Sequence, residues 1–185
     1  SVSTIEHLMA AFSALSIDNA VIKINNSELP ALDGSSYEYV KKLMMAGINI
    51  QYASKSYIKV LKKIKVKDGD RYISISPSND LTIDITIDYP DTIIGKSQFH
   101  YSHSRENFIA DLSEARTYTF FENIKKMRTA GLAMGGNLNN ALVVDKFKIL
   151  NPDGLRFEKE FVKHKTLDCI GDFYLLGMPL IGKVD

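Results

Sequence analysis

His164 and Asp168 lie four residues apart in the stretch Phe157–Gly177, FEKEFVKHKTLDCIGDFYLLG. Four residues make about one helical turn, roughly 6 Å of rise, so on a helix both side chains leave the same face, one above the other. An imidazole and a carboxylate stacked this way can grip one divalent cation, and the donor types suit Zn²⁺ or Fe²⁺. The same spacing also serves a plain His–Asp ion pair on a helix surface, so the pair alone leaves both readings open. Near the other end of the chain, Glu6 and His7 sit side by side at the start of a second apolar-periodic run. There a carboxylate can complement the helix dipole and an imidazole can cap the end or lie on the surface.

The elements that must position these groups are readable from periodicity. Phe161, Leu167, Ile170, Tyr174 and Leu175 recur mostly at three- and four-residue spacing, which predicts a helix across Phe157–Gly177 packed on one side and ended near Pro179. Ser3–Leu15 is predicted as a helix with Ser3 or Thr4 as N-cap and Ile5, Leu8, Met9 and Phe12 as its apolar face. Ala20–Ile24 alternates like a short strand, and Ser35-x-x-Glu38 fits a capping box opening a helix over Ser36–Ala46 that Gly47 ends. Ile50–Ser56 has no pattern and marks the expected boundary between units 1–54 and 55–185.

Beyond it the chain becomes rich in strands: Ile58–Val66, a hairpin signal at Asp68-Gly69 leading to Tyr72–Ser76, and Leu81–Tyr89. In the last of these, Leu81, Ile83, Ile85, Ile87 and Tyr89 point one way and Thr82, Asp84, Thr86 and Asp88 the other. Gln98–Ser102 and Ala141–Leu150 are predicted strands. Ser104 is expected to cap a helix through Leu112, and a further helix covers Phe121–Thr129. Gly135-Gly136 has neither a P-loop lysine nor a GxGxxG frame and reads as a tight turn. His100 and His103 are assigned no role.

The 185 residues carry a net charge of +1, with 45% hydrophobic and 24% charged residues, which is ordinary for a globular protein. No overall field favours nucleic acid, and the lysines of Ile58–Val66 lack interleaved aromatics, so they read as a solvated sheet face. A single cysteine, Cys169, forbids an intramolecular disulfide and points to a reducing compartment, hence the cytoplasm. No apolar run approaches the length of a bilayer span, so no stable membrane insertion is expected. The chain opens with Ser1 rather than Met and runs within five residues into a predicted helix, so a fragment of something longer is expected.

Three stretches together resemble one family, the zinc-dependent UDP-3-O-acyl-N-acetylglucosamine deacetylases of lipid A synthesis. They are Thr4-Ile5-Glu6-His7-Leu8-Met9-Ala10-Ala11 with Ile17-Asp18-Asn19 and Asp33-Gly34-Ser35; Ala115-Arg116-Thr117-Tyr118 running to Gly135-Gly136; and Asp153-Gly154-Leu155-Arg156-Phe157-Glu158 with His164-Lys165-x-Leu167-Asp168-x-Ile170-Gly171-Asp172. The resemblance implies an α+β protein of two domains stacked as sheet-helix-helix-sheet, with the first domain incomplete here and the active site between the layers. It implies His7, His164 and Asp168 as Zn²⁺ ligands with the remaining position left for water, Glu6 as general base and the Thr117 hydroxyl as a donor to the developing oxyanion. Fe²⁺ is a possible substitute metal.

The family's general acid is a histidine in a Ser-Gly-His-Ala-Leu-Asn-Asn motif, held by an aspartate matching Asp172. The 185 residues stop before that motif, so truncation is the expected reading and a fully active 185-mer is not expected. By position, Lys165 matches a lysine reaching the phosphate region of the substrate, and Tyr89 and Phe120 match aromatics of the nucleotide site. Phe121, Ile124, Ala133, Gly136, Leu138 and Val143 match an apolar tunnel for an acyl chain. Thr119 departs from the family's glycine-bearing stretch. The implied activity is hydrolysis of the 2-acetamido group of an acylated UDP-sugar by a cytoplasmic monomer. The competing readings are a zinc amidohydrolase for another N-acetylated sugar and a non-catalytic α+β binding domain.

Overall fold

A computed structural model describes residues 2–129, 131 and 135–185. The elements, in chain order, begin with helix α1 (Glu6–Ala14), helix α2 (Tyr37–Ala46) and the short strand β1 (Ile58–Lys59). Strands β2 (Ile64–Asp68), β3 (Arg71–Ser76), β4 (Thr82–Tyr89) and β5 (Gly95–Ser102) follow. A helical turn α3 (Arg105–Asn107) runs on into a π-helical turn, Phe108–Leu112, and then come strand β6 (Tyr118–Phe120) and helix α4 (Phe121–Thr129). Strands β7 (Leu142–Asp145) and β8 (Lys148–Ile149) precede the long helix α5 (Glu160–Tyr174), and two short strands close the chain, β9 (Leu180–Ile181) and β10 (Lys183–Val184). The fold is α+β, as expected.

The main sheet has the order β2-β3-β10-β4-β5, with β10 antiparallel to β3 and parallel to β4. Strand β4 alternates as the sequence predicts: Ile83 and Ile87 are buried, and Leu81, Ile85 and Tyr89 pack beside them. Helix α5 lies on this face through Leu167 and Ile170, and α1 lies on α5, so the layers run sheet, helix, helix. The second helix layer sits close because its contact surface is small: Ala10, Ala11 and Ala14 are almost fully buried. Opposite them is Gly171, in the last turn of α5, where an added Cβ would fall 2.1 Å from the Glu6 carbonyl oxygen. Only a hydrogen fits there.

Several expected elements differ in the structure. Helix α1 starts at Glu6, not Ser3, with Ile5 as its N-cap and no capping side chain. Thr4 and Ser3 turn instead to the 27–28 segment, Thr4 Oγ1 donating to Glu28 Oε1 and Ser3 bridging to Glu28. Ala20–Ile24 forms no strand among the described residues; alternation supplies a face, but a strand also needs a paired edge, and Val21 is 88% exposed.

The capping box is not made. The Ser35 N–H and hydroxyl both donate to the Asp33 carboxylate while Glu38 faces Lys41 and Lys42. Ser36, which is the N-cap of α2, donates its hydroxyl to the His7 carbonyl at 2.6 Å. Ala141–Leu150 is a hairpin rather than one strand, turning at Lys146 with φ +46°. The tail after Pro179, for which no strand is predicted, inserts β10 at the centre of the main sheet.

Candidate metal centre and its surroundings

Helix α1 brings His7, and helix α5 brings His164 and Asp168, to one point between the two helix layers. Candidate donor atoms of all three lie within 4.8 Å of one another. His164 Nε2 is 3.3 Å and His7 Nε2 3.6 Å from Asp168 Oδ1, and the imidazoles meet edge to face with ring centres 5.0 Å apart. Both histidines are buried, His7 4% and His164 1% exposed.

Each member is held from behind. His164 Nδ1 lies 2.9 Å from the Ala115 carbonyl oxygen, which can only accept, so Nδ1 carries the proton and Nε2 presents its lone pair to Asp168. The His7 turn of α1 is pinned by the Ser36 hydroxyl. Asp168 Oδ2 accepts from Lys165 Nζ at 2.9 Å, leaving Oδ1 free.

That Oδ1 is the one buried side-chain nitrogen or oxygen without a hydrogen-bond partner among the described residues. A buried orphan acceptor facing an imidazole lone pair at 3.3 Å is unfavourable, and a cation between them would relieve it. A proton on His164 does not serve at neutral pH, because burial, with His7 and Lys165 adding to it, lowers its pKa to about 4 against the pull of Asp168 and Ala115. Burial alone would raise the Asp168 carboxyl, but His164, His7 and Lys165 outweigh it and hold it well below the usual carboxylate range. Two imidazoles and one ionised carboxylate fit a divalent metal of the borderline class.

Glu6 is half-buried beside this point, and its charge reaches Asp172 and Tyr39. Asp172 lies one turn beyond Asp168 on α5; partial desolvation of its carboxyl by the surrounding protein, then Asp168 and Glu6, push its pKa up. Thr117 is half-buried, its N–H donating to the Gly34 carbonyl and its own carbonyl accepting from Leu142 N–H, both at 2.8 Å. Gly34 allows this contact: at φ +84° a Cβ would meet the Asn140 carbonyl oxygen at 2.1 Å. Thr119 pairs with Val143 in β6–β7, a strand setting that suits a β-branched residue, and its hydroxyl contacts Met127 Sδ at 3.6 Å.

The remaining expected residues fall into a second group. Tyr89, Phe120 and Phe121 line one cavity of about 440 Å³ together with Val144 and Lys146. Val143 is buried in β7, Ile124 half-buried on α4, Gly136 half-buried and Leu138 43% exposed. Ala133 lies outside the described residues. A larger cavity of about 930 Å³, under residues 47–57, is lined by none of the candidate residues.

Sequence reasoning misses the groups that tie these parts together. Tyr118 links the centre to the aromatic cavity: its ring meets His164 edge to face, Lys165 Nζ lies 5.2 Å over it, and its hydroxyl donates to Tyr89 Oη at 3.2 Å. Glu160 and Arg116 form a buried ion pair at 2.8 Å beneath the site. Gly171 could have been found, since a glycine inside an otherwise good helix needs a packing reason.

The whole sequence, residues 1–185, matches the sequence model of the UDP-3-O-acyl N-acetylglycosamine deacetylase family. Proteins called UDP-3-O-acyl-N-acetylglucosamine deacetylase are similar to it. That of a Nitratiruptor species is 46% identical over 181 residues, 98% of this chain and 61% of the relative. Those of Campylobacter fetus subsp. fetus and Shewanella violacea are each 45% identical, over 98% of this chain and 62% and 60% of the relative. The chain thus spans about three-fifths of the length of these curated relatives. With a match that runs from end to end, the chain belongs to the UDP-3-O-acyl N-acetylglycosamine deacetylase family.

Proposed function

We propose that the protein carrying this chain hydrolyses the 2-acetamido group of an acylated UDP-N-acetylglucosamine in lipid A synthesis, releasing acetate. The observation that carries the proposal is the convergence of His7, His164 and the orphaned Asp168 Oδ1. These three residues would hold Zn²⁺, with Fe²⁺ as a chemically similar substitute. Zinc bound there supplies a Lewis acid that polarises a carbonyl and brings the pKa of water down to about 7.

The chain's own residues do the rest. Glu6 accepts the proton of the attacking water, and the Thr117 hydroxyl donates to the amide oxygen as charge grows on it. Asp172 orients the group that protonates the departing amine. Lys165, already charge-paired with Asp168, offers a cation to the diphosphate, while Tyr89 and Phe120 receive the uracil. Phe121, Ile124, Gly136, Leu138 and Val143 line the acyl path.

In this reading residues 1–54 belong to one unit and 55–185 to another, and the site lies where α1 of the first meets α5 of the second. No helix among the described residues is long and apolar enough to cross a membrane, and we assign the enzyme to the cytoplasm as a monomer.

Metal analysis of the purified chain is expected to give about one zinc, lost in His164→Ala. In the protein that carries this chain, Glu6→Ala is expected to lower deacetylation by about 10²–10⁴-fold, the usual worth of a general base. A His164→Ala protein that retains its metal would refute the assignment. Equal turnover of a sugar without the acyl chain would redirect the proposal to another N-acetylated substrate.

A further inference from the structure

Glu160 is fully buried one turn before His164 on α5, and no part of the proposed chemistry uses it. Its carboxylate is committed to Arg116, through both backbone and side chain, and to the backbone N–H of Arg156. Oε1 accepts the Arg116 backbone N–H at 3.1 Å and Arg116 Nε at 2.8 Å; Oε2 accepts Arg116 Nη2 at 3.1 Å and the Arg156 backbone N–H at 2.7 Å. Arg116 Nη2 also donates to the Gly154 carbonyl. The Arg156 side chain in turn binds Asp33 and the Glu114 carbonyl, and Asp33 receives the Ser35 hydroxyl and N–H.

The peptide held by this pair is the one the centre depends on. Ala115, on one side of Arg116, provides the carbonyl that fixes the His164 tautomer; Thr117, on the other, is tied to Gly34. A planar guanidinium forked onto a carboxylate, with a backbone N–H on the same oxygen, sets both distance and angle between residue 116 and helix α5.

We propose that Glu160 and Arg116 are positioning residues for the metal centre. They clamp the 115–117 peptide to α5 so that the Ala115 carbonyl keeps His164 in its Nδ1–H form, with Nε2 aimed at Asp168. The inference rests on the reading of His7, His164 and Asp168 as a metal site, and its test separates the two.

The variant to make is Glu160→Gln with Arg116→Gln, which removes both buried charges together and keeps hydrogen-bonding groups in place. Imidazole ¹⁵N spectra of the metal-free chain report the tautomer of His164, and competition against a chromophoric chelator reports Zn²⁺ affinity. The wild type is expected to show one Nδ1–H tautomer. The folded variant is expected to show a mixture and to bind Zn²⁺ about 10–100-fold more weakly, the usual effect of losing a group that orients a ligand.

A folded variant with an unaltered His164 spectrum and unaltered Zn²⁺ affinity overturns the inference while leaving the metal reading standing. A tautomer change in a protein whose wild type binds no Zn²⁺ supports the clamp and refutes the metal reading. If the double variant does not fold, Glu160→Gln alone, which retains an acceptor for the Arg116 N–H, is measured in the same two ways, and the same results support or overturn the clamp.

Discussion

Replacing Gly171 by alanine adds one methyl group at the place where the two helix layers touch. In an exposed helix interior this substitution is favourable by up to about 1 kcal/mol, because alanine restricts the unfolded chain and suits the helix. Here the new carbon would lie 2.1 Å from the Glu6 oxygen, 2.9 Å from its carbonyl carbon and 3.1 Å from its Cα. All three are backbone atoms of α1, so no side chain can rotate aside. Restoring a contact of ordinary length requires the helices to part by about 1 Å, against a core at crystal-like density. Overpacking of this kind costs roughly 1–3 kcal/mol and sometimes more.

Because only backbone atoms face the new methyl group, the cost falls at the upper end of that range, about 3 kcal/mol, and less a propensity gain of about 1 kcal/mol the expected net loss is about 2 kcal/mol. For a chain of this length that is a fall in Tm of roughly 4–8 °C. The movement also carries Glu6 and His7 away from Asp168 and His164, so a misplacement near 1 Å should cost on the order of 100-fold in turnover. Thermal and denaturant unfolding of the metal-free protein measure the first quantity, and chelator competition and a deacetylation assay measure the second. A Gly171→Ala protein as stable as the wild type, with undiminished zinc affinity, would show that the helix contact is not what assembles the site.

Two further outcomes are expected. Ser36→Ala removes the buried hydroxyl that donates to the His7 carbonyl at 2.6 Å and should destabilise the protein by about 1 kcal/mol in urea unfolding, with no new charge or cavity of consequence. On the far side of the molecule, burial tends to raise the Asp84 carboxyl, but hydrogen bonds from Lys183 and His100 outweigh it and lower its pKa. Its contribution is therefore present above its unfolded pKa of about 4 and lost as pH falls through the lower folded value. Asp84→Asn should lower stability at pH 6, with the difference from wild type closing below about pH 4 in an acid unfolding series.

How much of this is legible in the sequence follows from what each signal measures. Strand β4 can be read nearly in full because its apolar period is long and one-sided. Helix α5 is read through Phe161, Leu167 and Ile170, but it spans Glu160–Tyr174 rather than 157–177. Leu175 lies beyond its end and is exposed, and Val162 and Glu160, off the expected face, are buried because neighbours cover more than one side. Ala20–Ile24 has the right alternation and fails, since a strand is a property of two segments and periodicity reports only one. The short strands after Pro179 are invisible for the converse reason: residues 180–184 carry almost no pattern, and the edges of β1, β3 and β4 define them.

The same division runs through the site. His164 and Asp168 announce themselves by helical spacing, whereas nothing local joins them to His7, at the opposite end of the chain; the resemblance to a family supplies that link, and the meeting of α1 with α5 gives it a geometry. The groups that make the meeting possible carry no chemical signature at all. Gly171 acts by lacking a side chain, Ser36 by a buried hydroxyl that holds the His7 carbonyl, and Glu160 with Arg116 by a pairing across 44 residues. A donor set can be guessed from residue types, but the precision of a centre is set by what stands behind the donors. In this chain that support comes from packing and backbone hydrogen bonds, which only the folded structure displays.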